Sequence, residues 1–154
     1  MNVNLGNREP EPRTHPASLW DYRLHHALAR ISARRGDGEG AKWHVGAARR
    51  ALDADTAMAR QQERFYPYLV GYVALYTNDL ATAERELTRT IGMQGNSRDP
   101  FMHALLGMTF EKMNQPNRAR ELYQKAYDLA TGHNPPAVFT RPFARKKLGI
   151  TPGS

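Results

Sequence analysis

Three turns in this chain share one frame of small residues. Their centres are Gly36 in Arg35-Gly36-Asp37, Asn78 in Thr77-Asn78-Asp79 and Asn114 in Met113-Asn114-Gln115. Five residues after each centre stands an alanine: Ala41, Ala83 and Ala119. Four further on come Val45, Leu87 and Tyr123, and three beyond those Ala48, Thr90 and Ala126. Seven residues before each centre stand Ala29, Gly71 and Gly107. Glycine and asparagine tolerate the left-handed conformation that ends a helix. Small residues at matched places on both sides of a turn let two helices cross closely. The frame therefore predicts three helical hairpins. The turn centres are 42 and 36 residues apart. Against a helix-pair unit of about 34 residues the surplus falls between pairs, where insertions cost least.

The periodicity fills in the helices. Ser18 reads as the N-cap of the first, with Trp20, Leu24, Ala27, Leu28 and Ile31 as its apolar stripe. A second restarts near Glu39, and no Gly or Pro from Asp53 to Glu63 stops it before Arg64. Pro67 opens a third, whose buried stripe is Leu69, Val70, Val73 and Ala74. The fourth spans 80–91, with Ala83 and Leu87 inward. Asp99 caps the fifth, 100–113, and the sixth spans 116–130. Thr140 reads as the cap of a short last helix ending at Gly149. No stretch alternates with period two, so almost no sheet is expected.

Composition removes several classes of function. The 154 residues are one domain's worth. The absence of cysteine excludes disulfides, Cys-ligated zinc, iron–sulfur clusters and a thiol nucleophile. No apolar stretch is long enough for a membrane span. Residues 1–14 lack the apolar core of a signal peptide, which points to the cytoplasm, or to the periplasm for a chain processed from a precursor. The net charge is +7, and residues 129–154 hold Arg141, Arg145, Lys146 and Lys147 with no acid.

The turn frame, taken with its aromatic and Leu-Gly positions, resembles the tetratricopeptide repeat. The third unit matches best, with Leu106-Gly107, Phe110, Ala119, Tyr123 and Ala126 in the family's places. The second keeps Gly71, Ala83 and Leu87 but has Thr90 for the last alanine; the first keeps Gly36-Asp37, Ala41 and Ala48, with Ala29 for glycine. The ending from His133 to Leu148 resembles that of many bacterial repeat proteins of this type. The resemblance implies an all-α fold: a short right-handed α-solenoid of three hairpins with a C-terminal capping helix. The organisation is then an extended N-terminal arm at 1–16, a repeat domain at 17–131, and a Pro-containing linker, basic capping helix and tail at 132–154.

Such a fold offers a groove lined by the first helix of each pair. In that frame Arg23, His26, Arg30 and Arg34 share one face of the first helix, and Tyr68, Tyr72 and Tyr76 form a stripe on the third. The fifth contributes Met108, Glu111 and Lys112. Arginine and tyrosine dominate binding hot spots. The expected partner is another protein, met as an acidic peptide, a helix or a complex subunit, and the function is a non-catalytic scaffold. The family's carboxylate-clamp subset uses Lys then Asn where this chain has His26 and Arg30, so that ligand class is not implied. The alternative is an accessory structural subunit of a larger bacterial complex, held by its terminal extensions and by Arg141, Arg145 and Lys146. A third reading is nucleic-acid contact through 141–147; the oligomeric state is left open, with the N-terminal arm lying in the groove or reaching across to another subunit of an oligomer. The six histidines form no metal motif, and no catalytic or nucleotide-binding motif is present, so neither a cofactor, a metal nor enzymatic activity is expected.

Overall fold

The structure is a computed structural model describing residues 17–132 and 135–151. The expected arm at 1–16 lies outside these residues, as do His133, Asn134 and the end of the tail. Among the described residues all regular structure is helical, in eight α-helices. These are α1 (Ala17–Arg34), α2 (Gly38–Asp53), α3 (Thr56–Gln62), α4 (Tyr66–Tyr76), α5 (Leu80–Gly92), α6 (Pro100–Lys112), α7 (Pro116–Leu129) and α8 (Pro135–Leu148). A single 3₁₀ turn, Glu63–Phe65, joins α3 to α4. No described helix is long and apolar enough to cross a membrane.

The three turns are built alike. Gly36, Asn78 and Asn114 take positive φ angles of 81°, 64° and 59°. The N–H of the following residue then reaches back to a carbonyl in the last helical turn: Asp37 to Ser32 (2.9 Å), Asp79 to Ala74 (2.8 Å) and Gln115 to Phe110 (2.9 Å). This is the Schellman pattern, which satisfies carbonyls that the helix end leaves over. In the first two turns the same residue opens the next helix, the Asp37 and Asp79 carboxylates accepting from the N–H groups of Gly40 and Thr82. Gln115 makes no such bond, and Pro116 occupies the first turn of α7 instead. Gly149 ends α8 in the same way, with Ile150 N–H donating to Arg145 at 3.1 Å.

Each turn folds one helix onto the next: α1 on α2, α4 on α5 and α6 on α7. The crossing points leave no room for a side chain. A Cβ on Gly71 would stand 2.7 Å from Leu87 Cγ, and one on Gly107 would stand 2.8 Å from Tyr123 Cε1. Ala29 fills the matching place in the first pair, fully buried, where the helix opposite carries the smaller Val45. One core gathers Leu19, Tyr22, Leu52, Met58 and Leu69 from α1 to α4. A second gathers Leu75, Leu87, Leu105, Phe110 and Tyr123 from α4 to α7 and extends to Leu148 of α8.

Four details differ from the sequence-based expectation. Ser18 lies inside α1, and its hydroxyl donates to the Asp55 carboxylate at 2.8 Å. The second helix stops at Asp53, because Asp55 is extended and its other oxygen accepts from Met58 N–H, capping α3. An Asp that captures backbone donors breaks a helix without Gly or Pro. The Trp20–Leu24–Ile31 stripe of α1 faces solvent, these residues being 51%, 53% and 45% exposed, while Leu19, Tyr22, Ala29 and Ala33 face the core. At about 100° per residue the two stripes lie on opposite sides of the helix. Finally, α8 starts at Pro135, so that Thr140 is buried within it rather than capping it. Pro142 sits inside α8 and has no N–H to give the Val138 carbonyl four residues back.

The close crossings predict that Gly71→Ala and Gly107→Ala each destabilise the fold. Overpacking outweighs the gain in helix propensity, for a net loss of about 1–2 kcal/mol. Gly92→Ala, whose Cβ would meet nothing within 4 Å, serves as the control and should be unchanged or up to about 1 kcal/mol more stable. Urea midpoints at constant slope measure all three.

Candidate functional site

The groove is built from α1, α4, α6 and α8. On α4 the spacing of four stacks Tyr68, Tyr72 and Tyr76 along one side, with ring centroids 6.0 and 4.8 Å apart. On α1 the spacing of four places His26, Arg30 and Arg34 above them. His26 lies parallel to Tyr68 at 5.8 Å. The Arg30 guanidinium is 6.0 Å from the Tyr72 ring, Arg34 is 5.3 Å from Tyr76, and Lys112 at the end of α6 also reaches Tyr76, at 5.9 Å. Tyr68 and Tyr72 are buried and Tyr76 is half-buried. The tyrosines thus form a floor beneath the cations, where the repeat frame predicted a stripe lining the groove.

Two cavities open along this floor. The larger, about 380 Å³, is bordered by Arg23, His26 and Arg30 of α1, by Tyr68, and by Pro136 at the start of α8. The smaller, about 240 Å³, is bordered by Arg34, Tyr76, Met108, and Phe139 and Phe143 of α8. Phe101 of α6 borders both and divides them. Two buried hydroxyls at their edges, Tyr22 in the first and Thr140 in the second, have no hydrogen-bond partner among the described residues. The α8 wall was not foreseen: reading Thr140 as a helix cap left Phe139 outside any helix. The spacing of four between Phe139 and Phe143 was the available signal.

The charge of the site rests on four cations. Among the described residues no carboxylate pairs with Arg23, Arg30, Arg34 or Lys112. Asp99 borders the larger cavity, but its carboxylate accepts from the N–H groups of Phe101 and Met102 as the cap of α6. His26 adds no charge at neutral pH. Burial and then the neighbouring Arg30 lower its pKa to about 4, and its Nε2 lies 3.3 Å from the Phe65 carbonyl. Burial, against the pull of Arg30, pushes the Tyr68 hydroxyl up to about 12, so it stays protonated.

Two further candidates, Glu111 and Arg141, are engaged within the fold. Glu111 accepts from the Tyr123 hydroxyl and, with both oxygens, from Lys147 at 2.9 Å, tying α6 to α7 and α8. Burial pushes this carboxyl up, but the bonds from Lys147 and Tyr123 outweigh it and hold the pKa below the ordinary value. Arg141 lies 4.1 Å over the Tyr127 ring and donates to its hydroxyl at 2.9 Å. Of the basic run in α8, this leaves half-buried Arg145 and exposed Lys146. His25 and His44 share a hydrogen bond between their Nδ1 atoms at 3.0 Å. Among the described residues no three His, Cys, Asp or Glu are grouped so that they could hold a metal ion.

No protein-family model, no curated protein and no solved structure matches the chain.

The buried histidine predicts an acid-sensitive fold. His26 is harder to protonate folded than unfolded, so its contribution to stability is complete above about pH 6.5. That contribution is lost progressively as pH falls toward the folded value of about 4. His103 and His44, also lowered by burial, act in the same direction. Melting temperature should therefore fall between about pH 6.5 and 4, and His26→Gln should flatten the decline.

Proposed function

We propose that this chain is a non-catalytic scaffold of tetratricopeptide type. Its three hairpins stack as a short right-handed solenoid, and its concave side holds an acidic peptide or helix of a partner protein. The observation that carries this reading is that Arg30, Arg34 and Lys112, which have no carboxylate partner among the described residues, are seated against Tyr72 and Tyr76. A guanidinium resting on an aromatic face is held in place while its remaining donors stay available to a carboxylate; Arg30 gives its Nε–H to the His26 carbonyl at 3.3 Å. The two flanking cavities then receive apolar side chains of the same ligand. Support for the solenoid comes from the repetition of one turn geometry and one close crossing in successive helix pairs.

A displayed random-peptide library panned against the full chain should enrich sequences that combine Asp or Glu with bulky apolar residues. Arg30→Glu and Arg34→Glu should each weaken a selected peptide at least ~10-fold, with affinity falling as salt rises. Lys146→Glu, outside the groove, should leave it unchanged. Selection without acidic residues, or binding indifferent to both reversals, would refute the groove as the ligand site.

The accessory-subunit reading has its own support in α8, where Val138 and Phe139 are 63% and 75% exposed. It predicts that Val138→Asp abolishes co-purification of a host complex that Arg30→Glu leaves intact.

A further inference from the structure

Helix α1 carries a second apolar face that nothing described in the fold covers. At the far end, α8 lies over α6 and α7 and buries Ala137, Ala144 and Leu148. At this end Leu24 and Ile31 stand exposed with half-buried Leu28 between them, and Trp43 of α2 is exposed beside them, edge-on to His25 at 5.5 Å. A terminal helix pair needs a polar outer face to stay alone in water.

We propose that this face is a self-association surface on which a second copy of the chain docks with its α1 antiparallel. The pattern along the helix selects that occupant. Asp21, Leu24, Leu28, Ile31 and Arg35 are spaced by alternating steps of three and four, the seam on which two helices pack. Asp21 and Arg35 are exposed and stand seven residues to either side of Leu28. Neither has an ion-pair partner among the described residues. A two-fold axis at Leu28 therefore sets Asp21 of each copy against Arg35 of the other and Leu24 against Ile31. A parallel arrangement would set like charges together. An isologous contact of this kind closes as a dimer. The dimer does not depend on what the groove binds, because Arg23, Arg30 and Arg34 lie on a different side of α1.

Sedimentation velocity of the full chain from ~10 nM to ~100 µM tests this. The expected result is a monomer–dimer equilibrium. Leu24→Glu and Ile31→Glu each abolish the dimer. Asp21→Arg and Arg35→Asp each raise the dissociation constant at least ~10-fold, and the double reversal D21R/R35D restores it. Because the chain has no cysteine, Leu28→Cys should yield a covalent dimer on mild oxidation. A monomer throughout that range overturns the proposal, whether residues 1–16 or another protein covers the face. So does a dimer indifferent to Leu24→Glu, or a double reversal that behaves no better than the single ones.

Discussion

Leu87 and Tyr123 rest against glycines that present no side chain to them, and this contact sets the spacing of the last two helix pairs. At Gly71 and Gly107 any Cβ would intrude on the facing residue. With the helices that close, the alanines at 83, 119 and 126 can be buried against their neighbours. The turns contribute the other half of the constraint. A left-handed residue reverses the chain within three residues, and an aspartate just after it starts the next helix in two of the three cases. Turn and crossing together bring α4 against both α1 and α6. Only then do Arg30, Tyr72 and Phe101 border one continuous floor.

That floor couples stability to the proposed recognition. Tyr68 and Tyr72 bury large apolar areas, a core contribution in its own right. Tyr72 and half-buried Tyr76 hold Arg30 and Arg34 at their faces, an attraction of about 0.5–2 kcal/mol depending on solvent exposure. The long side chains thereby lose part of their rotamer freedom during folding, and less remains to be lost when a ligand binds. The Tyr123–Glu111–Lys147 bridge does comparable work for α8, whose two phenylalanines close one side of the smaller cavity.

Much of this was legible in the sequence, and the reasons can be stated residue by residue. Gly36, Asn78 and Asn114 were readable because few residues accept a positive φ, so their placement carries information. Gly71 and Gly107 were readable because a helix tolerates glycine poorly without a packing reason. The Asp53–Asp55 break was not, since Asp is also common on solvent faces and only its bonds to Met58 and Ser18 reveal a cap. The outward turn of Trp20, Leu24 and Ile31 was hidden because α1 is apolar on two sides and periodicity carries no sign. That Arg23, His26, Arg30 and Arg34 share a face of α1 was an expectation from the repeat frame. Their seat over the tyrosine faces, and the α8 wall opposite, depend on tertiary contacts that no local pattern encodes.

The proline within α8 bears on how that wall behaves. Pro142 leaves the Val138 carbonyl without its usual donor, and Val138 is on the solvent side, where water can take the vacant bond. The helix is pinned on both sides of this point, by Arg141 to Tyr127 and by Lys147 to Glu111. Buried Ala137 and Thr140 hold the segment before the proline as well. The wall is therefore two separately clamped half-helices, and Phe139 at the rim of the smaller cavity is placed by its own anchors, not by the half that carries Leu148.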